Sequence, residues 1–208
     1  MKNIFIFISL FLSFSAVSAS LKLQFTDSAG QPLPYTVAEL YHAEYPATAA
    51  DEGTKVVQKG LNFQPFVSVV PQGTLVEFPN LDKTRHHVYS FSKAKTFELK
   101  LYAGKPEAPV LFDQAGIVTL GCNIHDNMLA YLYISQSKFA AVSGENGEVV
   151  FANLPEKPFT LRLWHPWQTE ALPEQTINVA AGNTSKSLKL NITAQELPKA
   201  PKTGFGDY

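Results

Sequence analysis

The feature that most constrains this chain is its supply of short apolar runs, none of which keeps a helical period for ten residues or more. Residues 21–25, 36–40, 67–70, 75–78, 87–91, 97–101, 117–120 and 129–134 are rich in β-branched and aromatic side chains, and many alternate apolar with polar. That is the pattern of strands half buried on a pleated surface. Turn formers separate them: Ser28 to Gly30, Pro71 to Gly73, Pro79 and Asn80, Gly104 to Pro106, and Gly144 to Gly147. The pattern predicts an all-β protein, a sandwich or Greek-key barrel.

The first nineteen residues stand apart. Lys2 supplies a positive start, residues 4–14 an apolar stretch, and Val17, Ser18 and Ala19 a small-residue cleavage site, so residues 1–19 read as a secretory leader. The apolar stretch is about a dozen residues, whereas a membrane span needs roughly twenty. No membrane insertion is therefore expected of the remaining chain, and export to the periplasm is. Without Lys2, 16 basic residues face 18 acidic ones. A balance so near neutrality offers no chain-wide attraction for nucleic acid.

An exported chain ordinarily carries cysteines in pairs, but this one has Cys122 alone, which excludes a disulfide framework. The ordinary fate of a lone cysteine is to be a small buried hydrophobe. The neighbours of Cys122 point elsewhere. Cys122, His125 and Met128 follow one another at three-residue steps between two expected strands, with Asn123, Ile124, Asp126 and Asn127 between them. Given the cysteine, a histidine three residues on and a methionine six residues on arise together by chance roughly once in ten thousand from this composition. A tight loop at that step turns a thiol, an imidazole and a thioether toward one point, as a strand of period two does not. Soft thiolate, imidazole and a weak thioether suit copper in both oxidation states.

A second imidazole should come from the end of another strand. His86 and His87 stand together thirty-six and thirty-five residues before Cys122. Adjacent strand residues face opposite sides, so only one of the two reaches a shared metal. Of the other histidines, His42 falls in a polar connector and His165 lies between Trp164 and Trp167, where packing on the indoles is the simplest role. Lys83, Arg85, Lys93, Lys95, Lys100 and Lys105 cluster in sequence near His86 and read as a solvated strand face.

Residues 56–135 resemble the cupredoxins, the blue copper proteins. The resemblance is carried by Phe63 to Pro65, Val67 and Val69, Gly73, Val76 to Asn80, His86, Phe112 with Gly116, and the closing loop from Cys122 to Met128. The loop spacing is similar to that of amicyanin, and the wider phrasing to plastocyanin-like proteins of methylamine utilisation. The resemblance implies one copper ion held by His86, Cys122, His125 and Met128, and single-electron carriage to and from a redox protein partner rather than catalysis. It places His87 where the family commonly has an asparagine that ties the ligand loops together. Asp126 and Asn127 depart from the apolar residues of the amicyanin loop. Copper storage or delivery would use the same side chains, and a metal-free β-sandwich scaffold would merely bury Cys122.

The flanking segments resemble two pieces of one module, a carboxypeptidase-regulatory-like sandwich of immunoglobulin or transthyretin type. Residues 21–40 match its opening hairpin, and Gly144 to Phe151, Leu154 with Pro155, and Phe159 to Leu163 match its sequel. Neither piece alone closes a core. The expected organisation is therefore a discontinuous sandwich of residues 20–45 and 137–193, a copper domain of residues 46–136 inserted into it, and a disordered tail of residues 194–208. The alternative is that residues 21–45 add strands to the copper barrel.

Overall fold

The structure, a computed structural model, describes residues 18–50, 53–106 and 108–199. Most of the expected leader and the tail beyond residue 199 lie outside the described residues. Ala19, placed in the leader by its cleavage pattern, opens the first strand, buried and paired with Leu154. Residues 194–199 carry no regular element, and the backbone carbonyl of Lys199 accepts a hydrogen bond from Asn127 Nδ2 at 2.9 Å.

Among the described residues there is no helix, and the fold is all-β. The strands are β1 (Ala19–Thr26), β2 (Val37–Tyr41), β3 (Thr54–Lys55), β4 (Val57–Gln58), β5 (Phe63–Gln64), β6 (Val67–Pro71), β7 (Thr74–Glu77), β8 (His86–Ser92) and β9 (Lys95–Tyr102). They continue as β10 (Val110–Phe112), β11 (Gly116–Gly121), β12 (Leu129–Ser135), β13 (Ala140–Val142), β14 (Glu148–Leu154), β15 (Pro158–Trp164), β16 (Gln175–Asn178) and β17 (Asn183–Lys189).

Two pairs of sheets each enclose a core. The sheets ordered β14-β1-β17 and β13-β2-β15-β16 cover one in which Leu21, Leu23, Phe25, Leu40, Phe159 and Leu161 are sealed from solvent. Strict alternation makes this possible: β1 buries every second residue along its length, and β15 does the same from Phe159. Gly147 closes the turn into β14 at φ 74°, where a Cβ would lie 2.5 Å from the Phe25 carbonyl, so only glycine fits.

The second core lies between the sheet β6-β12-β11-β8-β9 and the smaller sheet β10-β7-β3, with the β4-β5 hairpin beside them. Val76, Phe78, Val88, Phe112, Leu120 and Leu132 fill it. Every buried residue of this core falls between Val56 and Ile134, and every buried residue of the first core falls outside those limits. The chain enters and leaves the second unit at one place. Pro46 bridges Ser137, and the Ala47 N–H donates to the Gln136 carbonyl at 2.7 Å.

Glu39 of β2 lies at this junction and is almost wholly buried. Its Oε1 accepts from the backbone N–H groups of Gln136 at 2.6 Å and Ser137 at 2.9 Å, and its Oε2 accepts from the Tyr133 hydroxyl at 2.9 Å. Burial and the neighbouring carboxylate hold the Tyr133 phenol well above its ordinary pKa, so it remains a donor. An aromatic contact set completes the seam: Phe66 meets Tyr35 at 5.4 Å and Tyr131 at 5.5 Å, and Tyr131 meets Trp164 at 5.4 Å between ring centroids.

Candidate metal centre

Three strand ends set the site. His86 is the first residue of β8, and Cys122 follows directly after β11. The chain from Asn123 to Asn127 makes two successive turns, tied by the Met128 N–H donating to the His125 carbonyl at 3.0 Å, before β12 begins at Leu129. Gly121, the last residue of β11, faces Tyr89 of β8 so closely that a Cβ would lie 2.8 Å from the ring. Glycine there lets the tyrosine close over the strand just before the cysteine.

A ring nitrogen of His86, a ring nitrogen of His125 and the Sγ of Cys122 lie within 4.8 Å of one another. His86 is wholly buried and Cys122 nearly so. The His86 Nε2 sits 2.9 Å from Asp82 Oδ2, which leaves Nδ1 as the atom free to act as a ligand. Among the described residues the Nδ1 atoms of both His86 and His125 are buried with no hydrogen-bond partner. An orphaned polar atom in a protein interior costs about 1–3 kcal/mol. Two such atoms beside one thiol are what a bound metal ion would satisfy.

Met128 is buried with Cys122 in the second core, whereas Ile124 of the same loop is exposed. Thiol, two imidazoles and a neighbouring thioether form a donor set suited to copper. Burial, with help from the nearby His86, lowers the pKa of His125 against the opposing pull of Asp82, which keeps its ring neutral and its lone pair available near neutral pH.

His87, the other member of the histidine pair, turns away. Its Nε2 lies 2.8 Å from Glu98 Oε1 on the neighbouring strand, and it does not join the two ligand loops. Asn80 braces the loop that leads into His86: its Nδ2 donates to the carbonyls of Thr84 and Tyr102, and its Oδ1 accepts from the Asp82 N–H. His42 is half-buried against Tyr45 and Phe159 rather than lying free in a connector. His165 packs 5.1 Å from Trp167, wholly buried.

The basic residues do not form one face. His86 pairs with Tyr102 and Ser92 with Lys95, so Lys93 and Lys95 lie at the hairpin end of β8 and β9 while Lys83, Arg85, Lys100 and Lys105 lie toward the site. Asp82 is the residue that sequence reasoning passed over. In a loop no periodicity shows that residues 82 and 86 share a side.

No protein-family model matches the chain, and no curated protein matches it. Among solved structures the chain is similar to a purple cupredoxin from Nitrosopumilus maritimus, at 18% identity over 39% of this chain and 99% of that one, with a TM-score of 0.35. It is similar to a copper-containing nitrite reductase from Thermus scotoductus SA-01 at 20% identity, over 54% of this chain and 28% of that one, with a TM-score of 0.38. Amicyanin from Paracoccus versutus is similar at 17% identity, over 47% of this chain and 97% of that one, with a TM-score of 0.34.

Proposed function

We propose that the unit of residues 46–136 is a type 1 copper site of cupredoxin type, and that this chain is an exported carrier of single electrons rather than an enzyme. The observation that carries the proposal is the convergence of Cys122, His86 and His125 with two bare, buried Nδ1 atoms. A copper ion bound there would supply a reversible one-electron change.

The protein's part is to hold His86, Cys122 and His125 as ligands, with Met128 as the weak fourth. His86 and Cys122 are fixed at strand ends and shielded from water, so their positions differ little between oxidation states. His125 is only partly buried and sits next to the exposed Ile124, so its outer edge is the route by which an electron reaches a protein partner. Export to the periplasm is part of the same reading and rests on the leader pattern of residues 1–19.

The test is titration of purified protein with copper(II). One ion per chain should produce an intense visible thiolate-to-copper band, absent from Cys122→Ser. A colourless wild-type protein at stoichiometric copper refutes a type 1 site. Rapid release of copper to a chelator in both oxidation states, with slow electron self-exchange, would replace the carrier reading by delivery.

A further inference from the structure

The buried histidine of the site is held by a carboxylate that is itself held by a hairpin turn. Asp82 Oδ2 lies 2.9 Å from His86 Nε2, and the Asp82 side chain is 15% exposed. Its Oδ1 accepts from the Gly60 N–H at 2.7 Å and its Oδ2 from the Leu61 N–H at 3.0 Å. Those donors lie in the turn between β4 and β5, where Gly60 and Leu61 both take positive φ, at 63° and 58°. A non-glycine residue in the left-handed region is uncommon, and here it aims two successive N–H groups at one carboxylate.

The acceptor decides the state of the ring. With a carboxylate oxygen at Nε2, that nitrogen carries the proton, and the lone pair of His86 is confined to Nδ1, the atom that has no partner among the described residues. A charged acceptor also draws the N–H proton toward itself and makes the opposite nitrogen a stronger donor. Copper(II) gains more from such a donor than copper(I), because its charge is higher.

We propose that Asp82, clamped by the Gly60–Leu61 turn, is a positioning residue of the metal centre: it fixes the tautomer and orientation of His86 and selectively strengthens copper(II) binding, lowering the reduction potential. This rests on the type 1 reading above. The arrangement reaches the metal centre only through His86, with no direct contact between Asp82 and the ion required.

The experiment uses the full chain with Asp82→Asn, which keeps an acceptor for His86 but removes the charge, and Asp82→Ala, which removes both. In the metal-free protein, nitrogen NMR should find His86 as the Nε2–H tautomer in wild type and as a tautomer mixture in Asp82→Ala. On loading, copper(II) affinity should fall about 10-fold in Asp82→Asn and about 100-fold in Asp82→Ala, with copper(I) affinity little changed. That difference is a rise in potential of about 59 mV for each factor of ten. Unchanged potentials and an unchanged His86 tautomer in both variants would overturn the proposal and leave Asp82 as a loop pin. The metal-free tautomer measurement stands even if no blue band forms, so failure of the type 1 reading is seen separately. Should Asp82→Ala fail to fold, Asp82→Asn still carries the test.

Discussion

Replacing Glu39 by alanine should weaken the protein at the junction of its two cores. The substitution strips the acceptor from the Gln136 N–H, the Ser137 N–H and the Tyr133 hydroxyl at once. Arg162, whose Nη1 lies 3.5 Å from Glu39 Oε2, keeps its contacts to Glu174 and Gln136. Ser137 is buried, so its N–H is left without water, while the Tyr133 hydroxyl rotates and Gln136 is exposed. One full desolvation penalty and two partial ones give a loss of about 3–5 kcal/mol. Glutamine keeps an oxygen for the two N–H groups and turns an amide toward a hydroxyl that also accepts, so Glu39→Gln should cost only about 1–2 kcal/mol. For a chain of this size the alanine variant should melt roughly 6–20 °C lower. Urea unfolding followed by tryptophan fluorescence, which reports Trp164 and Trp167, measures the loss. Because Glu39 lies on a strand that covers one core and Tyr133 on a strand that covers the other, the alanine variant should also unfold in two steps where wild type shows one. A loss under about 1 kcal/mol, or equal losses for alanine and glutamine, would refute this account.

His86→Ala should abolish the copper band while His87→Ala keeps it, read by visible absorption of the copper-loaded variants; the opposite order would move the ligand by one residue. His165 has its pKa lowered to about 4 by burial, against the opposing hydrogen bond to the Pro34 carbonyl. Its Nε2–H donates to that carbonyl and its Nδ1 accepts the Trp167 N–H, so both ring nitrogens are satisfied only when neutral. The unfolded ring binds a proton near pH 6.5, so this contribution is complete above that pH and is lost as the pH falls toward 4, to a limit of about 3 kcal/mol. Denaturant unfolding from pH 7 to 4 should show a smaller loss for His165→Gln than for wild type, and equal slopes would count against it. Residues 46–136 expressed alone should fold and bind copper, as followed by circular dichroism and absorption. If the fragment recovers only when residues 21–45 are restored, the two cores are not independent.

What local sequence determines here is what neighbouring residues decide together. Alternation in residues 21–25 and 129–134 specifies strands and their buried faces, since side-chain direction in a strand depends only on parity. Cys122, His125 and Met128 could be named as one candidate set because seven consecutive residues contain them. Strand β17 shows the limit: its polar sequence, from Asn183 to Lys189, carries no apolar alternation, and it is a strand because it pairs in parallel with β1. The choice between His86 and His87 is likewise tertiary. Parity says that they diverge, but which one meets Cys122 depends on how β8 lies between β9 and β11. Asp82 could not be read at all, because its role needs the turn at Gly60 and Leu61 on one side and His86 on the other. Such a contact is made by folding of the backbone across 21 and 22 residues, and residue order alone carries no record of the distance.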